Sequence, residues 1–223
     1  MRKGFPGGLI VFCVFLIFCL LSSGNAFAQT KNKGWYYLEI PDVGKIWYPP
    51  SIEIQSEEFR REGGSPEVFL NNKVIFQQRG LNKSDPSSYG LYARLIVENI
   101  PGKPGDFLRI SDGGEIMGAS AEDLEYLNNF SLAELKKQTF VKIVDFYGYR
   151  PVKVGERYPA LLIAYKRKST VSPELGTVLV RQYLIQNYKQ MIKITASYRG
   201  KEEGMWKEDL LGAVNSIVLA NEY

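Results

Sequence analysis

Gln190-Met191-Ile192-Lys193-Ile194-Thr195-Ala196-Ser197-Tyr198-Arg199 is the stretch whose pattern decides the fold. Ile192, Ile194, Ala196 and Tyr198 alternate with Lys193, Thr195, Ser197 and Arg199, as in a strand with one buried face and one wet face. The segment 177–187 also reads as a strand, and only a hairpin-length connection, Asn187 to Gln190, separates the two, which predicts an antiparallel pair. Period two extends back to Phe140, giving further strands near 140–149, 151–155 and 159–167. In the other direction, 202–219 reads as an amphipathic helix whose Trp206, Leu210, Val214, Ile217 and Val218 form one apolar stripe.

Upstream of Phe140 the signals change to helix caps. Ser120 stands three residues before Asp123 and Ser131 three before Glu134, so each serine is expected to cap a helix, over 121–129 and 132–138. Earlier still, 35–40 and 45–48 flank Pro41-Asp42-Val43-Gly44 and read as a hairpin that Pro49-Pro50 ends. Strands follow at 52–55, 68–77 and 92–100, with loops expected at 56–66, 81–90 and 101–118. The sum is an α+β protein: a mainly antiparallel β-sheet flanked by helices, closed by the amphipathic C-terminal helix.

Two patches carry a family resemblance. Ile46-Trp47-Tyr48-Pro49-Pro50-Ser51-Ile52-Glu53-Ile54 is an aromatic-proline-strand opening, and Ile194 to Tyr198, with Trp206 and Asn215-Ser216-Ile217, is a closing strand and helix. In these patches and in layout the chain resembles PsbP-like domains of extrinsic photosystem proteins and exported bacterial proteins. The resemblance implies an α/β/α sandwich and a noncatalytic binding or assembly role. It transfers no binding residue.

The N-terminus predicts export. Arg2 and Lys3 precede an uncharged apolar run of 13 residues, Leu9 to Leu21, and Ala26-Phe27-Ala28 offers a small-x-small cleavage site. The run fits a signal core and falls short of the roughly 18–20 residues that cross a bilayer. Cleavage is expected between Ala28 and Gln29, dividing the chain into a signal peptide (1–28), a flexible lead-in (29–34) and one globular domain (35–223). The product is expected in the periplasm, cell envelope or extracellular space, with no stable membrane span after processing. Cys13 and Cys19 both lie in the leader, behind bulky Phe12 and Phe18 where lipidation needs a small residue.

Composition narrows the chemistry further. The chain has no histidine, which excludes serine-histidine and cysteine-histidine hydrolases and histidine-zinc sites. Without histidine, and with no cysteine left after processing, no metal or cofactor is expected. Removing Arg2 and Lys3 lowers the net charge from +4 to +2, too little to indicate nucleic acid or an anionic membrane as partner.

Local motifs resolve to structure. Gly118-Ala119-Ser120-Ala121-Glu122 lacks the final glycine of a nucleophile elbow, so Ser120 reads as a cap. Asp112-Gly113-Gly114-Glu115 lacks the alternating acids of a calcium loop and reads as a turn. Lys166-Arg167-Lys168, ahead of Thr170-Val171-Ser172-Pro173, reads as a solvated hairpin tip, and Asn82 and Asn129 begin glycosylation sequons.

Aromatics remain. Trp35-Tyr36-Tyr37, Trp47-Tyr48 and Phe146-Tyr147 are adjacent in strands, where neighbours point to opposite faces, so some must line a surface. Trp35, Tyr37, Trp47 and Tyr147 are the candidate partner-binding residues, for an envelope protein or a small ligand. The alternative is a carboxylate-dependent hydrolase of an envelope glycan, which requires two facing acids in a cleft.

Overall fold

The structure, a computed structural model, describes residues 34–56, 73–103, 106–107, 109–111, 116–117, 120–187 and 190–220. The expected leader with its Ala28–Gln29 junction, lead-in residues 29–33, most of the 56–66 loop, residues 68–72 and the Asp112–Glu115 turn lie outside the described residues.

The strands in chain order are β1 (Tyr36–Ile40), β2 (Gly44–Tyr48), β3 (Ile52–Ile54), β4 (Lys73–Gln78), β5 (Ala93–Pro101), β6 (Arg109–Ile110), β7 (Ile116–Met117), β8 (Val141–Val154), β9 (Tyr158–Ser169), β10 (Thr177–Asn187), β11 (Gln190–Arg199) and β12 (Val218–Leu219). The helices are α1 (Pro86–Tyr89), α2 (Ala121–Lys136) and α3 (Glu203–Asn215). Seven strands form one antiparallel sheet, ordered β3-β4-β5-β11-β10-β9-β8. A second sheet, β1-β2-β12, is also antiparallel, and β6 pairs with β7. The α+β class with a mainly antiparallel sheet and a C-terminal helix is the observed one. These elements belong to a compact unit running from Tyr36 to Tyr223.

The alternation in β11 has its expected apolar consequence. Ile192, Ile194, Ala196 and Tyr198 are buried, and α3 packs against β11 and β2 through Trp206, Leu210, Ala213 and Val214. Ser216 locks the end of α3 to the hairpin: its Oγ accepts the Trp47 N–H at 2.9 Å and lies 2.7 Å from the Ala213 carbonyl. The other face differs from expectation. Thr195, Ser197 and Arg199 are more than nine-tenths buried rather than wet, because α2 packs nearby on that face and long side chains of adjacent strands line the recess around them.

Four element boundaries also depart from the sequence reading. Ser120 does cap α2, in a capping box: its Oγ accepts the Asp123 N–H at 3.2 Å and Asp123 Oδ2 accepts the Ser120 N–H at 2.7 Å. Ser131 caps nothing, because α2 runs through it as one helix. An interior serine costs only about 0.5 kcal/mol against alanine, less than ending one helix and nucleating another. Residues 140–149 and 151–155 are one strand, β8, since Pro151 occupies an edge strand and needs no donor on the open side.

The C-terminal helix stops at Asn215, and Val218 joins β12 opposite Lys45 instead of extending the helical stripe. The β-branched pair Ile217-Val218 favours that extended ending. Within 81–90, Asp85 caps α1 by accepting the Ser87 N–H at 2.9 Å, with Pro86 at the first helical position. Asn82 there is a structural plug: its Nδ2 donates to the Ile54 carbonyl at 2.7 Å and its Oδ1 accepts from Ser56 N–H and Gln77 Nε2. An amide so engaged is a poor glycan acceptor.

Candidate binding site

Two of the four candidate aromatics meet directly. Tyr37 and Trp47 face each other across the β1–β2 hairpin with ring centroids 6.4 Å apart, Tyr37 exposed and Trp47 half-buried. Beside them Tyr36 and Tyr48 lie 5.6 Å apart, and Tyr48 continues inward to buried Phe76 at 5.0 Å. Arg79 sits 5.5 Å from the Tyr36 ring, so part of this ladder is already engaged by the protein's own cation. Trp35 precedes the compact unit that carries the other three. Tyr147 belongs to β8, in the other sheet.

Tyr147 is placed by a local irregularity. Along β8 and β9 the register shifts between Phe146 and Gly148, leaving Tyr147 opposite no partner. Such bulges re-aim side chains. Gly148 makes this one possible at φ +73°, where a Cβ would stand 2.8 Å from Asn128 Oδ1. The same Oδ1 accepts the Tyr149 N–H at 2.8 Å, and Ser131 Oγ and Tyr149 Oη lie 2.9 Å apart. Helix α2 therefore holds the bulge from outside.

The re-aimed Tyr147 rims an open cleft of about 380 Å³. Its lining is Tyr147, Gly148, Arg150, Ala164, Lys166, Leu179, Arg181 and Glu203, contributed by β8, β9, β10 and the start of α3. The register explains the convergence, since Gly148 pairs with Ala164, Ala164 with Arg181, and Lys166 with Leu179, so these residues share a face.

Two of the cations are committed within the protein. Lys166 Nζ lies 3.3 Å from Asp145 Oδ2 and 5.8 Å from the centre of the Tyr147 ring. Hydrogen bonding with Tyr147, then with Asp145, raises its pKa above the ordinary lysine value. Lys207 bonds Glu203 at 2.9 Å, which holds the Glu203 carboxyl below the usual range. Among the described residues neither Arg150 nor Arg181 has a carboxylate within 4 Å. Arg181 also hydrogen-bonds Tyr183 and attracts the Glu203 carboxylate, so the cleft offers two guanidiniums, one partly engaged, beside an exposed phenol, a surface suited to an acidic group attached to an apolar or planar one. The sequence singles out Tyr147 but not Arg150 and Arg181, which come beside it only through the β8–β9–β10 register.

Among the described residues no group of three or more His, Cys, Asp or Glu side chains could hold a metal ion, and no helix is long and apolar enough to cross a membrane. No protein-family model and no curated protein matches the sequence. Solved structures do. The chain is similar to cyanobacterial PsbP from Synechocystis sp. PCC 6803, with a TM-score of 0.46 at 11% identity, covering 83% of this chain and 92% of that one. The resemblance is one of layout.

A protein from Bacteroides thetaiotaomicron VPI-5482 gives a TM-score of 0.45 at 7% identity, over 85% of this chain and 50% of that one. A Pseudomonas aeruginosa protein of unknown function gives 0.40 at 13%, over 82% and 96%. All three are likenesses of layout at 7–13% identity.

Proposed function

We propose that this chain is an exported, noncatalytic binding or assembly module that holds an acidic side chain of an envelope protein partner in the Tyr147 cleft. The observation that carries the reading is the pair Arg150 and Arg181, free of carboxylates within 4 Å among the described residues, beside exposed Tyr147. Arginine and tyrosine are both enriched among the residues that anchor protein interfaces. Glycan hydrolysis needs one acid kept protonated, whereas Glu203 in this cleft is held below the usual range by Lys207. The leader residues Met1–Ala28 support export, with Gln29 as the first residue of the product.

The test uses the full precursor, tagged at its C-terminus and expressed in its native host, with gentle crosslinking and N-terminal sequencing of the same sample. The expected result is a chain beginning at Gln29 with a partner whose capture falls at least tenfold in Arg181→Ala and in Tyr147→Ala, at unchanged melting temperature. Equal capture by wild type and both variants removes the cleft from the reading. A chain still beginning at Met1 removes cleavage at Ala28 from the reading.

A further inference from the structure

The sheet face opposite the Tyr147 cleft carries two adjoining recesses. One, of about 240 Å³, has a polar and cationic lining that includes Arg94, Arg167, Thr195 and Ser197. The second, of about 260 Å³, has an apolar lining that includes Phe140, Leu175 and Val178. Tyr92 and Arg167 line both, so the two recesses meet there. Their combined volume falls within the range of small-molecule sites, about 300–1,000 Å³.

The charges around this junction are unequal in their commitments. Lys193 bonds Glu98 at 2.7 Å, and Arg199 lies 3.5 Å from Glu202, so both are neutralised within the protein. Arg167 donates to the Tyr92 hydroxyl at 3.4 Å, and Arg94 sits 5.7 Å from the Tyr92 ring centre. Neither has a carboxylate within 4 Å among the described residues. Lining the recess with them are the buried residues Ser197 and Thr195, 3% and 9% exposed, and Ser197 Oγ lies 3.4 Å from Tyr92 Oη. Two uncompensated guanidiniums beside these residues form an anion seat, and the apolar recess begins where the seat ends.

We infer that this face binds a small amphipathic anion, its carboxylate or phosphate head at Arg94 and Arg167 and its apolar portion against Phe140, Leu175 and Val178. The site is independent of the Tyr147 cleft. Adjacent strand residues point to opposite faces, so Lys166 serves the cleft while Arg167 serves this seat.

The experiment is a titration of the mature chain followed by amide NMR, using octanoate and octyl phosphate below their micellar concentrations. Acetate and inorganic phosphate are the probes without a tail, and octanol the probe without a charge. Saturable shifts at Arg94, Arg167, Leu175 and Val178 with both octyl anions are expected, with at least tenfold weaker binding of acetate, phosphate and octanol. Octanoate without octyl phosphate would assign a carboxylate ligand, and the reverse a phosphate ligand.

Arg167→Gln should weaken binding by about tenfold, the loss of one charge-assisted hydrogen bond. Leu175→Asp, at an exposed position that folding tolerates, should abolish binding of the octyl anions. Absence of shifts, shifts confined to the Tyr147 cleft, or equal affinity in both variants would overturn the inference.

Discussion

Glu202 Oε2 accepts the indole N–H of Trp206 at 3.0 Å from one turn below it, and the same oxygen accepts the Tyr92 N–H at 2.9 Å. Its other oxygen faces Arg199, whose guanidinium also donates to the Gly90 carbonyl. A buried acid here joins α3, β11 and the approach to β5. Glu202→Ala would leave Arg199 buried without its counter-charge and Trp206 without its acceptor. A loss of about 3–5 kcal/mol is expected, read from urea denaturation. A loss below about 1 kcal/mol would mean that water replaces the carboxylate.

Tyr198 presents the opposite case. Its hydroxyl is buried with no hydrogen-bond partner among the described residues, and burial pushes its pKa above the ordinary tyrosine value. Removing an unsatisfied buried hydroxyl relieves a desolvation cost. Tyr198→Phe should therefore stabilise the fold by about 1 kcal/mol, seen as a higher urea midpoint with unchanged slope. Destabilisation would reveal a bound water at that oxygen.

Two glycines should respond in opposite directions to alanine. Gly44 has φ +129°, and its Cβ would stand 2.0 Å from the Val218 carbonyl, so Gly44→Ala must displace β12. Gly204, in the first turn of α3, has no atom within 4 Å of a Cβ. Gly204→Ala should stabilise by up to about 1 kcal/mol, and Gly44→Ala should destabilise by more than that. Thermal unfolding of the pair checks both signs.

Acid should fray α2 from its first turn. Backbone and then side-chain hydrogen bonds from Ser120 hold the Asp123 carboxyl below its ordinary 3.8. A depressed folded value means the contribution is complete above the unfolded value and disappears as pH falls through the folded one. The urea midpoints of wild type and Asp123→Ala should differ near neutrality and converge as the pH falls through the depressed folded value, where both lose the carboxylate. A difference that persists unchanged in acid would refute the capping-box contribution.

The sequence made the strands legible because period two survives wherever one face is buried. Residues 177–187 and Gln190–Arg199 match β10 and β11, and the Ser120 cap matches its hydrogen bonds. The weaker readings failed where a local signal competed with cooperative structure. Ser131 carries a cap pattern yet sits inside a helix already propagating, and Pro151 looks like a break until the strand is known to be an edge.

The site was legible only in part. Tyr147 stands out as an aromatic in a strand, but its cleft depends on a bulge that the sequence marks only by Gly148. Arg94 and Arg167 lie far apart along the chain and meet through the order β5-β11-β10-β9, which no local pattern encodes. Lys166-Arg167-Lys168, read as a hairpin tip, lies within β9, so its consecutive cations divide between two faces of the sheet.

The outermost strands of the seven-stranded sheet set how this protein can meet others. At one end β3 is only three residues long. At the other, β8 has two register shifts, a proline without an N–H, and an amide at Tyr149 taken by Asn128. Among the described residues, neither margin of this sheet offers a long, flat row of free peptide groups onto which a foreign strand could zip. This sheet is therefore a poor template for edge-to-edge pairing with a second chain.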